Sequence, residues 1–545
     1  MPHEELSRDL SARDPQSLMS RRDLLTRGLA AGGVVAAASL LAACGGGGAT
    51  AADTASGAFS DVGGTPKRGG TVILGMSGGG SSDTLDPLQS VSNIDYYRVA
   101  ALFDNLYYPD TNFVIQPQLA AEAEPNRDGS QWTVRLRSGV EFHNGKTIDA
   151  DDLAFTMRRI FKVPYSGLVG RFAMVDLNGL KKVDKLTLQV PLKYPFSIFP
   201  NALARLPLVP VGFNPNKPVG TGPFMFQSFQ AGRQSTFVRN PNWWGGFWGA
   251  KGTPYIDALQ LVDLPDDTAR VNSLLSGQVH GIDQVPLGQA NSIKAQGMEL
   301  FNLPTGNWRP FTMRIDRPPF NDVRVRQAMR LLVDRPQMVE QALAGYGRVA
   351  NDLYSPDDPA YQSFHVAQRE QDLEQARSLL KQAGQSDLRV QLTTSPIQAG
   401  IVEASTVLVT QAAQAGVKIA LNQVDNDTFF GNNYLKWPFA VDWWPPTAYL
   451  DEAVVADGPN STFNETHWLN PTFSRAYYAA LKETDAQKRI PYEHQMMETQ
   501  YNDGGYIIWG FANTLDAYSP KLRGLIPTKW GQDFSDSEFW RLWLA

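Results

Sequence analysis

The chain has 545 residues with 47 glycines and 36 prolines, a composition that excludes fibrous and low-complexity proteins. Hydrophobic residues make up 43% and charged residues 19%, which allows sizeable cores in about three domains or two large lobes. The net charge of −6 argues against a nucleic-acid-binding protein. One cysteine and six histidines without zinc-site spacing argue against a structural metal site.

The first segment is predicted to be an export signal. Arg21 and Arg22 form a twin-arginine pair, and an uncharged run leads to the sequence Leu-Ala-Ala before Cys44. This order is typical of a bacterial twin-arginine signal peptide, residues 1–43, that ends in a lipobox. A transmembrane helix is the alternative, but the glycine and alanine of the run supply little free energy for insertion.

Cys44, the one thiol of the chain, stands where lipoprotein processing attaches acyl chains. It is therefore the predicted lipidation site and mature N-terminus. Residues 44–67 are rich in Gly, Ala, Ser and Thr and are predicted to form a flexible tether. The mature protein is expected in the periplasm or its extracytoplasmic equivalent, anchored to the membrane by lipid.

The body of the chain mixes strands and helices. Strands are predicted at 71–74, 132–137, 185–190, 388–392 and 418–421, most of them from alternating apolar and polar residues. Helical spacing predicts helices over 149–161, from 322 onward, over 373–380 before Gly384, and over 401–415. This alternation favours an α/β fold with some parallel strand pairing. The segment PVGTGPF (Pro218–Phe224) predicts a tight chain crossing with an architectural role.

Seven segments, in order, resemble family 5 extracellular solute-binding proteins of ATP-binding cassette (ABC) importers, which include dipeptide, oligopeptide and nickel receptors. They are PQLAAEAE (117–124), WTVRLRSGVEFHNGKTIDADDLAFT (132–156), PVGTGPF (218–224), RNPNWW (239–244), RPPFNDVRVRQAMRLLVDR (317–335), DLEQARSLLKQAG (372–384) and GGYIIWG (504–510). Together they extend over nearly all of the predicted mature chain.

The resemblance implies an α/β, two-lobed fold of the periplasmic-binding-protein type (type II, large peptide-receptor class). Lobe I, with an inserted subdomain, would comprise residues 68–305 and 512–545, and lobe II residues 306–511. The lobes would close around a ligand. The implied protein is a monomer without cofactor, metal or enzymatic activity, and its partners are the permease and ATPase subunits of an importer.

The candidate ligand site is WPFAVDWWPPTAYL (Trp437–Leu450), where one carboxylate stands among aromatic residues. In peptide receptors of the family, an acidic residue in the comparable stretch pairs with the ligand's α-ammonium group. Asp442 resembles that residue, and Trp443 and Trp444 could add cation–π attraction. The alternative is that the tryptophans pack in a core and Asp442 caps a turn. The Trp-Pro-Pro sequence at 444–446 is less polar than is usual in the family, which would suit a smaller or more apolar ligand.

Further wall residues are predicted from their position. Ser77 follows the first strand, where the loops of α/β folds often line a cleft. Tyr96, Tyr97 and Trp308, the last near the lobe crossing, are the other candidates. The predicted ligand is an amine-bearing solute such as a di- or oligopeptide, with an opine, a sugar or a metal chelate as alternatives.

Two other functions are weighed. The sequence Gly-Met-Ser-Gly-Gly at 75–79 matches the GxSxG pattern of serine hydrolases and would make Ser77 a nucleophile. The residues that follow have the composition of a loop rather than a helix, which favours a chance match. A sensory or chaperone-like binding protein is the other alternative, because a fold does not settle function.

Overall fold

The computed structural model describes residues 65–545, apart from residues 91, 111–113, 165, 246–251, 431–432, 460 and 462. The predicted signal peptide, Cys44 and most of the predicted tether, residues 1–64, lie outside the described residues. In the part that is described, no helix is long and apolar enough to cross a membrane.

The described strands are β1 (Thr71–Met76), β2 (Tyr107–Pro109), β3 (Ile115–Pro117), β4 (Ala120–Pro125), β5 (Gln131–Leu136), β6 (Lys181–Lys182), β7 (Thr187–Pro191), β8 (Phe224–Gln230), β9 (Gln234–Arg239), β10 (Ala258–Asp263), β11 (Gly281–Ile282), β12 (Glu299–Met313), β13 (Gly347–Val349), β14 (Arg389–Thr394), β15 (Lys418–Gln423), β16 (Phe439–Val441), β17 (Tyr506–Tyr518), β18 (Leu522–Arg523) and β19 (Trp543–Leu544).

The described helices are α1 (Asn93–Leu102), α2 (Ala150–Ile160), α3 (Val169–Phe172), α4 (Phe199–Leu203), α5 (Asp267–Leu275), α6 (Ala290–Ala295), α7 (Val323–Leu331), α8 (Arg335–Leu343), α9 (Pro359–Ser363), α10 (Leu373–Gln382), α11 (Ile401–Gln414), α12 (Asn426–Phe429), α13 (Tyr449–Val455), α14 (Pro471–Lys482) and α15 (Ala486–Asp503). Short 3-10 turns lie at Leu287–Gln289 and Phe539–Arg541.

The predicted helices are confirmed, and their starting points have local causes. α2 begins after Asp149, whose carboxylate accepts hydrogen bonds from the backbone N–H groups of Asp151 and Asp152 at 3.0 and 3.1 Å. Asp322 and Asp372 cap α7 and α10 in the same way. Such caps satisfy N–H groups that no carbonyl within the helix can reach.

The main sheet has the strand order β15-β14-β16-β12-β17-β11-β1-β10-β9-β8, with β13 added beside β17. The predicted parallel pairing is confirmed: β14 runs parallel to β15, and β1 runs parallel to both β10 and β11. One side of this sheet is built from residues 71–282 and the other from residues 389–441.

Two long antiparallel strands, β12 and β17, lie side by side between these two sides of the sheet. Their register shifts between the pairs Leu303–Thr514 and Asn307–Ala512. The predicted lobe boundaries, 305/306 and 511/512, fall in this irregular stretch. The chain thus passes between the two sides twice, at neighbouring positions.

A separate four-stranded antiparallel sheet, β4-β5-β7-β6, lies within residues 120–191, the region of the predicted inserted subdomain. The C-terminal tail returns to β1: Phe534, Phe539 and Leu542 are buried in one hydrophobic cluster with Val72 and Leu74. Inside the tail, residues 534–537 form a left-handed turn with φ between 52° and 61°. The structure is a two-lobed, mixed α/β fold, as the sequence predicted.

Candidate functional site

A large cavity lies between residues of predicted lobe I and predicted lobe II and has a volume of about 1210 Å³. Aromatic rings and charged groups of both signs line it. The lining side chains from predicted lobe I include Ser77, Tyr96, Tyr97, Arg171, Arg205, Trp530, Asp533 and Trp540. Those from predicted lobe II include Arg309, Glu403, Trp443, Trp444 and Glu452.

Five predicted wall residues line this cavity: Ser77, Tyr96, Tyr97, Trp443 and Trp444. The other two predicted residues, Trp308 and Asp442, do not line it and are each only 1% exposed. The structure therefore brings the seven predicted positions to one region but places two of them behind the wall. A ligand contact at any of them stays a prediction.

Trp308 supports the wall from inside. Its ring stacks on Trp444 with centroids 5.4 Å apart and planes 7° apart, and on Tyr354 at 5.2 Å. Tyr506 meets it edge-on at 5.3 Å. Offset and edge-to-face arrangements of this kind stabilise aromatic clusters beyond the area that they bury. Trp444 is thereby held in one orientation.

Asp442 points into the protein. Its Oδ1 accepts a hydrogen bond from the backbone N–H of Trp443 at 2.7 Å, and its Oδ2 accepts one from the Tyr434 hydroxyl at 3.2 Å. Its charge also attracts the guanidinium of Arg309, which counteracts the effect of burial on the pKa of that arginine. A ligand amine would have to displace Tyr434 to reach Oδ2.

Ser77 is held by a buried carboxylate. Both its backbone N–H and its hydroxyl donate to Asp283, each at 2.7 Å. Burial, followed by the nearby charge of Asp533, raises the pKa of Asp283 to about 7. The chain after Ser77 does not enter a helix until Asn93, so the strand-turn-helix geometry of a nucleophile elbow is absent from these described residues.

Next to Ser77, acidic side chains meet at the tail. Tyr97 donates its hydroxyl proton to Asp533 in the left-handed turn, and the backbone N–H of Phe534 donates to Asp516 at 2.7 Å. Burial raises the pKa of Asp516 well above its usual range, and the nearby Asp533 raises it further. The tail thus presents an acidic edge to the cavity.

Four arginines line the cavity, namely Arg171, Arg205, Arg270 and Arg309, and sequence reasoning identified none of them. Arg171 is paired with Asp451 at 2.7 Å. Arg205 lies over the Trp530 ring, 4.3 Å from its centroid, and burial lowers its pKa to about 10. Arg270 donates to the backbone carbonyls of Leu264 and Asp283 at 2.8 and 3.2 Å. The only local signal was the charge of Arg309 inside the otherwise uncharged stretch Phe301–Met313.

No group of three or more His, Cys, Asp or Glu side chains in the described residues is arranged to hold a metal ion. The lining residues of the cavity include no histidine within that part of the chain. The aromatic, charged and hydrogen-bonding groups of the wall suit recognition of a ligand.

A two-lobed fold with a cavity between the lobes defines a class of ligand receptors, and comparison with known proteins specifies the family. The family described as "Bacterial extracellular solute-binding proteins, family 5 Middle" matches residues 114–465. The chain therefore belongs to family 5 of the bacterial extracellular solute-binding proteins, which serve ABC importers and are not enzymes. The resemblance read from the sequence is confirmed, and the serine hydrolase alternative is wrong.

Individual relatives agree with this assignment. The glutathione-binding protein GsiB of Salmonella paratyphi A is 25% identical over 487 residues, which cover 84% of this chain and 93% of that protein. The oligopeptide-binding protein AppA of Bacillus subtilis, solved in complex with a nonapeptide, superposes with a TM-score of 0.71 at 20% identity. The ABC transporter substrate-binding protein CtaP of Listeria monocytogenes superposes with a TM-score of 0.76 at 18% identity. Each superposition covers 88% of this chain and 100% of the other.

Proposed function

We propose that this protein is the extracytoplasmic, lipid-anchored receptor of an ABC importer and captures a small amine-bearing solute, in the first place a di- or oligopeptide. It encloses the solute between its lobes and delivers it to a membrane permease that acts with ATPase subunits. The observation that carries the proposal is the cavity of about 1210 Å³ between residues of both predicted lobes, with aromatic walls and charges of both signs.

The size and charge of the cavity favour a short peptide. Cavities for drug-sized ligands measure about 300–1,000 Å³, so this one, at about 1210 Å³, has more room than a single amino acid needs. Arginines and carboxylates in the same walls suit a ligand that carries both an amine and a carboxylate. Glutathione, for which the GsiB proteins are named, is a tripeptide of this kind.

Capture needs no covalent step. A ligand that touches residues of both lobes binds the closed arrangement more tightly than the open one, and it therefore shifts the population toward closure. The strands β12 and β17 are the proposed hinge, because they connect the two sides of the sheet and lose their regular register at 303–307. Bending there leaves the ladders on either side intact.

The ligand class is tested by a thermal-shift screen of the purified protein. The probes are dialanine, trialanine, glutathione, an opine, maltose and the nickel–histidine chelate. A ligand that binds only the folded state raises the melting temperature in proportion to the logarithm of its concentration once it exceeds its Kd. We expect a rise with the peptides and none with N-acetylated, C-amidated dialanine, the matched control. A rise with maltose or the chelate alone would keep the receptor function and discard the peptide.

Membrane anchoring is proposed from the lipobox that ends at Cys44. Acylation of the mature N-terminus, followed by the tether, would hold the receptor near its permease. Incorporation of labelled palmitate tests this proposal: the wild-type protein takes up label and Cys44→Ala does not. Equal labelling of the two proteins would contradict the anchor and leave the receptor function untouched.

A further inference from the structure

Arg309 occupies a position on the cavity wall that strand pairing defines. Trp308 and Trp444 exchange backbone hydrogen bonds of 3.1 and 3.0 Å, and the N–H of Asp442 donates to the carbonyl of Pro310 at 3.1 Å. Arg309 is therefore directly opposite Trp443 in an antiparallel pair, on the same face. Both residues line the cavity.

The guanidinium of Arg309 is buried, and two of its three nitrogen atoms lack an acceptor in the described part of the chain. The residue is 7% exposed, and its Nε and Nη1 atoms have no hydrogen-bond partner among the described residues. A buried donor that is left unpaired destabilises the protein, and more so when it is charged. The wall therefore carries a donor group whose unpaired state is unfavourable.

Other arginines of this protein that are equally buried do find acceptors. Arg98 pairs with Asp95 and Asp263 at 2.9 and 2.8 Å. Arg330 donates to three backbone carbonyls between 2.8 and 3.0 Å. Arg335 donates to Asp352 at 2.7 Å through Nη2, although its Nε has no partner among the described residues. Each of these three arginines thus makes at least one hydrogen bond to a carboxylate or a backbone carbonyl, and Arg309 differs from them in lining the cavity.

Asp442 is the nearby opposite charge, but it does not replace an acceptor. Its oxygens already accept from the Trp443 backbone and the Tyr434 hydroxyl. Burial lowers the pKa of Arg309 to about 10, and attraction to Asp442 opposes this effect. The guanidinium remains charged at neutral pH and keeps its donors available.

We propose that Arg309 receives a carboxylate of the ligand, so that the receptor selects solutes with a free carboxylate over their neutral amides. The inference rests on the proposed function, because it needs a ligand in this cavity. A planar guanidinium matches a carboxylate with two parallel hydrogen bonds. Trp443, on the same face, provides an apolar surface beside this contact.

The test compares acids with amides. Calorimetric titration measures the Kd of trialanine and trialanine amide, and of glutathione and its glycinamide, with wild type, Arg309→Gln and Arg309→Lys. Wild type is expected to prefer each acid by about tenfold or more, which corresponds to about 1.4 kcal/mol, because the neutral amide cannot form the charge-assisted pair of hydrogen bonds. Arg309→Gln is expected to reduce this preference to twofold or less, and Arg309→Lys to an intermediate value.

The controls separate recognition from a structural role. Arg324→Gln removes an exposed arginine of α7 that pairs with Asp322, and it should keep the full acid preference. If Arg309→Gln does not fold, the double variant Arg309→Gln/Asp442→Asn takes its place in the test, because it removes both charges together. An acid preference that survives in Arg309→Gln overturns the proposal. If it then disappears in Arg205→Gln, the carboxylate binds at Arg205.

Failure of the peptide proposal is distinguishable from failure of this one. If no peptide raises the melting temperature, the peptide proposal is wrong, and succinate at constant ionic strength becomes the probe. A rise in melting temperature with wild type that is absent in Arg309→Gln supports a carboxylate site. If wild type and Arg309→Gln respond equally, or if neither responds, the carboxylate site at Arg309 is overturned.

Discussion

Residues 442–444 show how strand geometry divides a cluster that looks like one site in the sequence. Trp444 packs with Trp308 in one hydrophobic cluster, whereas Trp443 packs against the separate cluster that contains Phe439 and Val441. Successive side chains of a strand point to opposite faces. Asp442 is therefore turned to the interior while Trp443 is turned to the side of Arg309. The composition of the segment predicted a recognition site but could not assign these directions.

The role of Asp442 is tested by replacing its charge while keeping its shape. In Asp442→Asn the side-chain oxygen can still accept from the Trp443 N–H, but an ammonium group loses its charged partner. If Asp442 receives the ligand amine, the preference for trialanine over N-acetyl-trialanine falls about tenfold, a change of about 1.4 kcal/mol. Calorimetric titration measures both peptides. An unchanged preference here, together with its loss in Asp533→Asn, would place the amine at the acidic edge of the tail.

At the scale of elements, the segment 218–224 is an example of a sequence interpretation that the structure explains. A Cβ atom added to Gly220 would lie 1.9 Å from the carbonyl oxygen of Leu102, and one added to Gly222 would lie 2.5 Å from its carbonyl carbon. The N–H of Gly222 donates to that same Leu102 oxygen at 3.0 Å. The segment therefore crosses in backbone contact with the end of α1, which supports the architectural role predicted for it.

Replacement of Gly220 by alanine is expected to destabilise the protein through this contact. The new methyl group overlaps backbone atoms, which cannot rotate away, so overpacking should cost about 1–3 kcal/mol or more. Thermal unfolding of the ligand-free protein measures the loss. Gly288→Ala is the matched control, because nothing lies within 4 Å of the Cβ atom that it adds. Equal melting temperatures for the two variants would contradict the close packing.

Short elements were predictable and the two long strands were not. α2 and α7 have capping aspartates and apolar residues at helical spacing, so both helices could be predicted from the sequence. β12 contains Pro304 and Pro310, which argue against a strand in mid-sheet. The structure accommodates these prolines with register shifts between 303 and 307 and between 308 and 310. β17 is buried on both faces over nearly all its length and therefore shows no alternation.

At the scale of the whole molecule, the site could be predicted only in part. The cavity draws on residues from Ser77 to Trp540, so no window of the sequence contains it. Residues next to a strand end or within an aromatic cluster could be proposed from local pattern. Arg309 and Asp533 could not, because their position on the wall results from the crossing of β12 and the return of the tail. The family resemblance supplied the arrangement of lobes that local patterns lack.

The whole protein also buries carboxyl groups that have raised pKa values, and this predicts its stability as a function of pH. Burial raises the pKa of Asp457, Asp536 and Glu493 to about 7 in each case. In the unfolded chain such groups titrate near 4. Between these values the folded state binds more protons than the unfolded state, so stability decreases as the pH rises from about 4 to about 7. Three arginines hold the pKa of Asp352 below its usual range. Its protonation at lower pH therefore destabilises the folded state and limits the increase in stability there.

We therefore expect a higher melting temperature at pH 5.5 than at pH 8, and we expect Asp457→Asn to reduce the difference. The amide of this variant still accepts from Gln500 Nε2, which lies 2.8 Å from Asp457 Oδ2, but it no longer titrates. One group of this kind contributes about 1 kcal/mol per pH unit to the slope between about pH 5 and 6.5. Melting temperatures at half-unit pH intervals measure the slope, with the exposed Asp387→Asn as the control that leaves it unchanged. A wild-type melting temperature that stays level or rises from pH 5.5 to 8 would show that these carboxyl groups are ionised in the folded protein at pH 5.5.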